Sequence, residues 1–127
     1  MFTSSDRVFH NVHLIPLTNG GLNQVMAPLG RLSVRLVAEK QPILIRCDMH
    51  FWMHGTIRVF DHPFFARTND DGSFEISGVP AGTQSLVIWH EKAGYVTTGQ
   101  ARGTTVLVRA GQAIDVGEIK LGIEEIR

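Results

Sequence analysis

Along "RLSVRLVA" the apolar residues Leu32, Val34 and Leu36 alternate with Arg31, Ser33 and Arg35, the period of two that belongs to a sheet with one wet face. "PILIRC", "GTIRVF", "SFEI", "SLVIWH", "TTVLVRA" and "AIDVGEIKL" are short, rich in β-branched or aromatic residues, and separated by glycine, proline or acidic turns. No stretch makes a convincing amphipathic helix. Many short strands punctuated in this way predict an all-β chain, an antiparallel sandwich or barrel. Its 13 glycines suit the tight turns of such a fold, which need positive φ.

The pattern changes near "VFDHPFFARTND". Before it lie the methionines, the cysteine and loosely spaced apolar strands; after it comes a regular alternation of strand and turn, punctuated by "NDDG" and "SGVPAG". In "NDDGSFEI" the acidic and amide side chains are consecutive, whereas a calcium loop needs them at alternating positions before its glycine, so a hairpin turn is predicted. Gly78, Pro80 and Gly82 belong to turns by the same logic. The predicted boundary separates residues 1–60 from 61–127, with the strand at Gly55 to Phe60 shared by both halves.

At 127 residues the chain can bury one ordinary core, or two small ones that share an element. Its 12 basic and 12 acidic side chains cancel, leaving no electrostatic footprint for nucleic acid or for an anionic membrane surface. "MFTSSDRVFHNVH" has no basic region followed by an apolar one, and no apolar run reaches the roughly 18 residues of a membrane span, so neither a signal peptide nor membrane insertion is expected.

A lone cysteine cannot close an internal disulfide, which leaves ligation, nucleophilicity or burial for Cys47. It opens the stretch "CDMHFWMHG", with His50 three residues on and Met53 three further. A thiolate, two imidazoles and a weak axial thioether are the donor set of copper electron-transfer sites. One loop after a strand can point three of these donors at a single ion, and "RVFHNVHLI" offers the fourth, His10, from a distant strand. The plainer reading makes Cys47 a small buried hydrophobe and Met53 a core filler. A cysteine-nucleophile enzyme finds no further support, because no third group orients a base and no oxyanion hole is recognisable.

His13 falls on the opposite strand face from His10, so a surface or hydrogen-bonded role is predicted for it. His54 and His62 read as turn residues, and His90 in "WHEKAGYV" as structural. Phe51 and Trp52, flanking His50, read either as core or as an apolar patch for a redox partner, with partial exposure expected.

"FHNVH" together with "CDMHFWMHG" resembles the blue copper proteins, or cupredoxins, of the amicyanin type, whose ligand loop has two residues between cysteine and histidine and two between histidine and methionine. The resemblance implies a Greek-key half with copper as cofactor and His10, Cys47, His50 and Met53 as metal ligands. It implies for Asn11 a role in bracing the ligand loop through hydrogen bonds. Asp48 and Met49 fill the gap where many members carry a proline. The region from "GTIRVFDHPFF" through "SGVPAGTQSLVIWHEKAGYV" to "LVRAGQAIDVGEIKL" is similar to the carboxypeptidase regulatory-like, transthyretin-like β-sandwich, which implies a fold and no catalysis.

Three function classes follow. One is electron transfer through a mononuclear blue copper site, in the periplasmic or extracellular setting that the resemblance implies. A second is copper or zinc binding without redox traffic, since thiolate and imidazole also suit zinc. The third is a metal-free β-sandwich interaction module. Because the resembling family builds more chain before its first histidine ligand, a homo-oligomer is expected, with contacts near Phe2 to Val8 and along Arg31 to Val37.

Overall fold

The structure of the chain, a computed structural model, describes residues 1–122. Ten strands carry it: β1 (Phe2–Thr3), β2 (His10–Ile15), β3 (Leu22–Met26), β4 (Arg31–Leu32), β5 (Ile43–Arg46), β6 (His54–Ile57), β7 (Gly82–Leu86), β8 (Trp89–His90), β9 (Gly94–Tyr95) and β10 (Thr104–Val108). A single 3-10 turn at Gln100–Arg102 is the one helical element among the described residues, so the protein is essentially all-β. The chain divides into two compact units, Met1–Pro63 and a second that begins at Phe64.

In the first unit an antiparallel sheet runs in the order β3-β2-β5-β6. Period two explains which side chains β2 buries: Val12 and Leu14 face inward and, with Met26 and Ile43, form the core. Ile43 has no exposed surface, and full burial of such a side chain contributes about 1.5–3 kcal/mol. Phe2, Leu32, Val34, Leu36 and Ile45 pack against this cluster. The alternation read in "RLSVRLVA" thus holds for burial, whereas only Arg31–Leu32 forms a ladder, paired with β1 through Phe2↔Leu32 and Thr3↔Arg31. Alternation decides which face a residue occupies, but a ladder also needs a partner strand, and β1 is two residues long. The segments assigned by sequence to contacts with another copy therefore pair with each other here. The strand expected to be shared between the halves is represented by β6, which pairs with β5 inside the first unit.

Glu39 anchors the turn after β2. Its buried carboxylate accepts from the N–H groups of Leu17 and Thr18, both at 3.0 Å, and from those of Asn19. Burial pushes this carboxyl upward, but the converging donors outweigh it and lower it to about 2.

In the second unit β7 and β10 pair antiparallel, as do β8 and β9. "NDDG" forms the expected turn, with Gly72 N–H donating to Asn69 O at 2.9 Å and Gly72 at φ 83°, a conformation glycine adopts without strain. "SFEI" and "AIDVGEIKL" form no ladder among the described residues. The second is interrupted where Gly117 N–H donates to the Asp115 side chain at 2.8 Å and Gly117 takes φ 73°, a local turn that competes with extended pairing.

Candidate metal centre

The centre sits at one end of the four-stranded sheet because of strand register. β5 ends at Arg46 opposite His13 of β2 and opposite His54 of β6, so Cys47–Met53 is the connection of the β5–β6 hairpin and starts beside β2. Two main-chain bonds close that loop: Cys47 N–H to Met53 O at 2.9 Å and Met53 N–H to His50 O at 2.8 Å. From β2, the Asn11 N–H donates to Cys47 Sγ at 3.5 Å.

His10, Cys47 and His50 converge, their ligand atoms all lying within 4.8 Å of one another. His10 Nδ1 and His50 Nδ1 are 3.1 Å apart, and Cys47 Sγ is 3.5 Å from His50 Nδ1. His10 and Cys47 are buried and His50 is half-buried. The other ring nitrogen of His10, Nε2, lies 2.9 Å from Asp6 Oδ2. A carboxylate only accepts, so the proton belongs on Nε2 and the Nδ1 lone pair faces the centre.

Burial would raise the Cys47 thiol, but the N–H groups of Asn11 and Met49 and the imidazoles of His10 and His50 together lower it to about 6. That shift favours the thiolate form of the sulfur. A sulfur and two imidazole nitrogens brought this close, which hydrogen-bond through His50 Nδ1 in the absence of an ion, are a donor set that suits a soft or borderline cation such as copper or zinc. The His10–Cys47–His50 group could hold a metal ion.

Asn11 hydrogen-bonds the ligand loop directly: its Oδ1 accepts from Asp48 N–H at 2.6 Å, and its Nδ2 donates to Asp48 Oδ2 at 3.2 Å and Asn23 Oδ1 at 2.7 Å. Met53 closes the loop through its backbone and keeps 38 % of its surface exposed. Phe51 and Trp52 stand out in solvent, at 86 % and 64 % exposure, with the Trp52 ring 5.3 Å from that of His50.

Of the other histidines, His13 bonds the Asp48 carboxylate, with Nδ1 at 3.0 and 2.8 Å from its two oxygens. His54 begins β6 rather than a turn, while the His62 ring lies 5.4 Å from that of Phe60. His90 Nδ1 accepts from the N–H of Lys92 at 3.2 Å and of Ala93 at 3.4 Å, holding the turn between β8 and β9. Sequence reasoning passed over Asp6 and Asp48. The signal for Asp6 was its place four residues before His10 in "DRVFH"; Asp48 adjoins Cys47 and read only as a loop filler.

Comparison of the chain with known protein families, with curated proteins and with solved structures returned no match.

Proposed function

We propose that this protein transfers electrons through a mononuclear blue copper site and is not an enzyme. The observation that carries the reading is the convergence of ligand atoms of His10, Cys47 and His50 within 4.8 Å of one another, a thiol sulfur with two imidazoles. Cys47 and the two histidines would hold the ion, with Met53 as weak axial ligand. Bound copper supplies one-electron chemistry between Cu(II) and Cu(I). The chain's part is to keep the thiolate deprotonated, to fix the tautomer of His10 through Asp6, and to keep the donors in place as charge changes. Phe51 and Trp52, exposed beside His50, would form the contact for a protein redox partner. The same proposal includes a Greek-key cupredoxin-like half followed by a transthyretin-like sandwich, and a periplasmic or extracellular setting.

Stoichiometric Cu(II) added to the metal-free protein tests it. An intense visible thiolate-to-copper band, reversibly bleached by a mild reductant and absent in Cys47→Ser, is the expected result. Tight binding of Zn(II) or Cu(I) with no such band would instead favour a metal carrier or structural site.

A further inference from the structure

The strongest unused feature is a polar row on the sheet face opposite the core. Register places Asn23 of β3 across from His13 of β2, and His13 across from Arg46 of β5, so three polar side chains line up across three adjacent strands. Asp48 lies over that row. Its carboxylate is met by His13 Nδ1 at 2.8 Å, Asn23 Nδ2 at 2.8 Å, Arg46 Nε at 2.9 Å and Asn11 Nδ2 at 3.2 Å. A carboxylate offers about four lone-pair sites, so these donors saturate it. Since His13 Nδ1 faces carboxylate oxygens, it carries a proton and donates.

Resting on the reading of His10, Cys47 and His50 as a metal centre, we propose that Asp48 is a positioning residue that preforms this centre before any ion arrives. An exposed ion pair alone contributes little. Asp48 differs in being covalently next to Cys47 and anchored to three strands at once. The opposing force is local: ordering the loop that carries Cys47 and His50, so that their ligand atoms stay within 4.8 Å of that of His10, costs backbone entropy. Two main-chain bonds, Cys47 N–H to Met53 O and Met53 N–H to His50 O, resist opening from within the loop, and Asn11 holds its start from β2. Asp48 adds a lateral clamp that keeps Cys47 Sγ beside His10 while the centre is empty of metal.

The test uses the full chain as wild type, Asp48→Ala and Asp48→Asn. Amide hydrogen exchange of residues 48–53 is measured without metal, and Cu(II) and Zn(II) affinities by competition with a chelator. Asp48→Ala should speed exchange in the loop and weaken both metals on the order of 10–100-fold, the usual effect of losing a group that orients ligands. Asp48→Asn keeps an acceptor for His13 without the charge, so it should recover part of the affinity and keep the visible band, at a raised reduction potential. A purely structural role would leave that potential unmoved. Wild-type exchange and affinity in Asp48→Ala would overturn the proposal. Should Asp48→Ala fail to fold, Asn23→Ala and Arg46→Ala each remove one exposed donor; smaller losses in the same direction are expected, and wild-type values in both overturn it. If the wild type takes up neither metal, the metal-centre reading fails, and the exchange rates still decide whether Asp48 holds the loop.

Discussion

Individual side chains here do their work through opposed terms whose balance shows as pH dependence. Cys47, moved from an ordinary 9.0 to about 6, contributes stability in the metal-free protein that is fully present above pH 9 and fades as pH falls to 6. The urea midpoint of wild type relative to Cys47→Ser should therefore shrink over that window; a constant difference would contradict the thiolate assignment. Glu39, lowered from 4.5 to about 2, behaves the same way further into acid: its contribution is present above pH 4.5 and lost as pH falls to 2. Glu39→Gln should melt lower than wild type at pH 7, because an amide nitrogen would face the backbone donors of Leu17 and Thr18, and the gap should close by pH 2. For Met53, the expectation is that Met53→Leu retains the blue band and raises the potential, since an axial thioether tunes the ion and does not hold it.

Among the elements, the β5–β6 hairpin matters most, because its connection is the ligand loop. Ile43 stands on β5 at the centre of the core with no exposed surface, and the same short strand delivers Cys47. Ile43→Ala should destabilise the first unit by about 2–5 kcal/mol, read by thermal or urea unfolding. The metal affinity of whatever fraction remains folded should change little, because the cavity lies in the core and not at the donors. Loss of affinity beyond the loss of stability would mean that β5 positions the loop through its packing as well as through its ladder.

At the scale of the whole molecule, the two units carry different sequence grammars. The first has its core in the sheet whose β2 and β5–β6 connection carry the donors; the second, among the described residues, has two short ladders and glycine-bearing turns. Val8, Phe9, Leu29 and Val37 of the first unit are all more than half exposed. β1 and β4 pair with one another, so a second copy would meet only their outer edges together with these exposed apolar side chains. Sedimentation at micromolar concentration should show a species of twice the chain mass that Val37→Glu or Phe9→Glu dissociates. A single monomeric boundary would remove the homo-oligomer from the account.

The order of residues by itself determined the all-β character, the turn at "NDDG", the opposite faces of His10 and His13 and the donor types of the loop, because strand period and turn chemistry act between near neighbours. It also brought out His10, although 37 residues separate it from Cys47. What it left open depends on register. Leu32, Val34 and Leu36 pack inward as their alternation requires, yet only the first of them found a ladder partner. His13 read as a surface or hydrogen-bonded residue, and antiparallel pairing set it in a row with Asn23 under Asp48. Asp6 acquires meaning only when the chain before β2 brings its carboxylate to Nε2 of a buried imidazole. Spacing names the groups able to bind an ion; only the tertiary ladder decides which other groups hold them still, since those hydrogen bonds join residues that no local pattern relates.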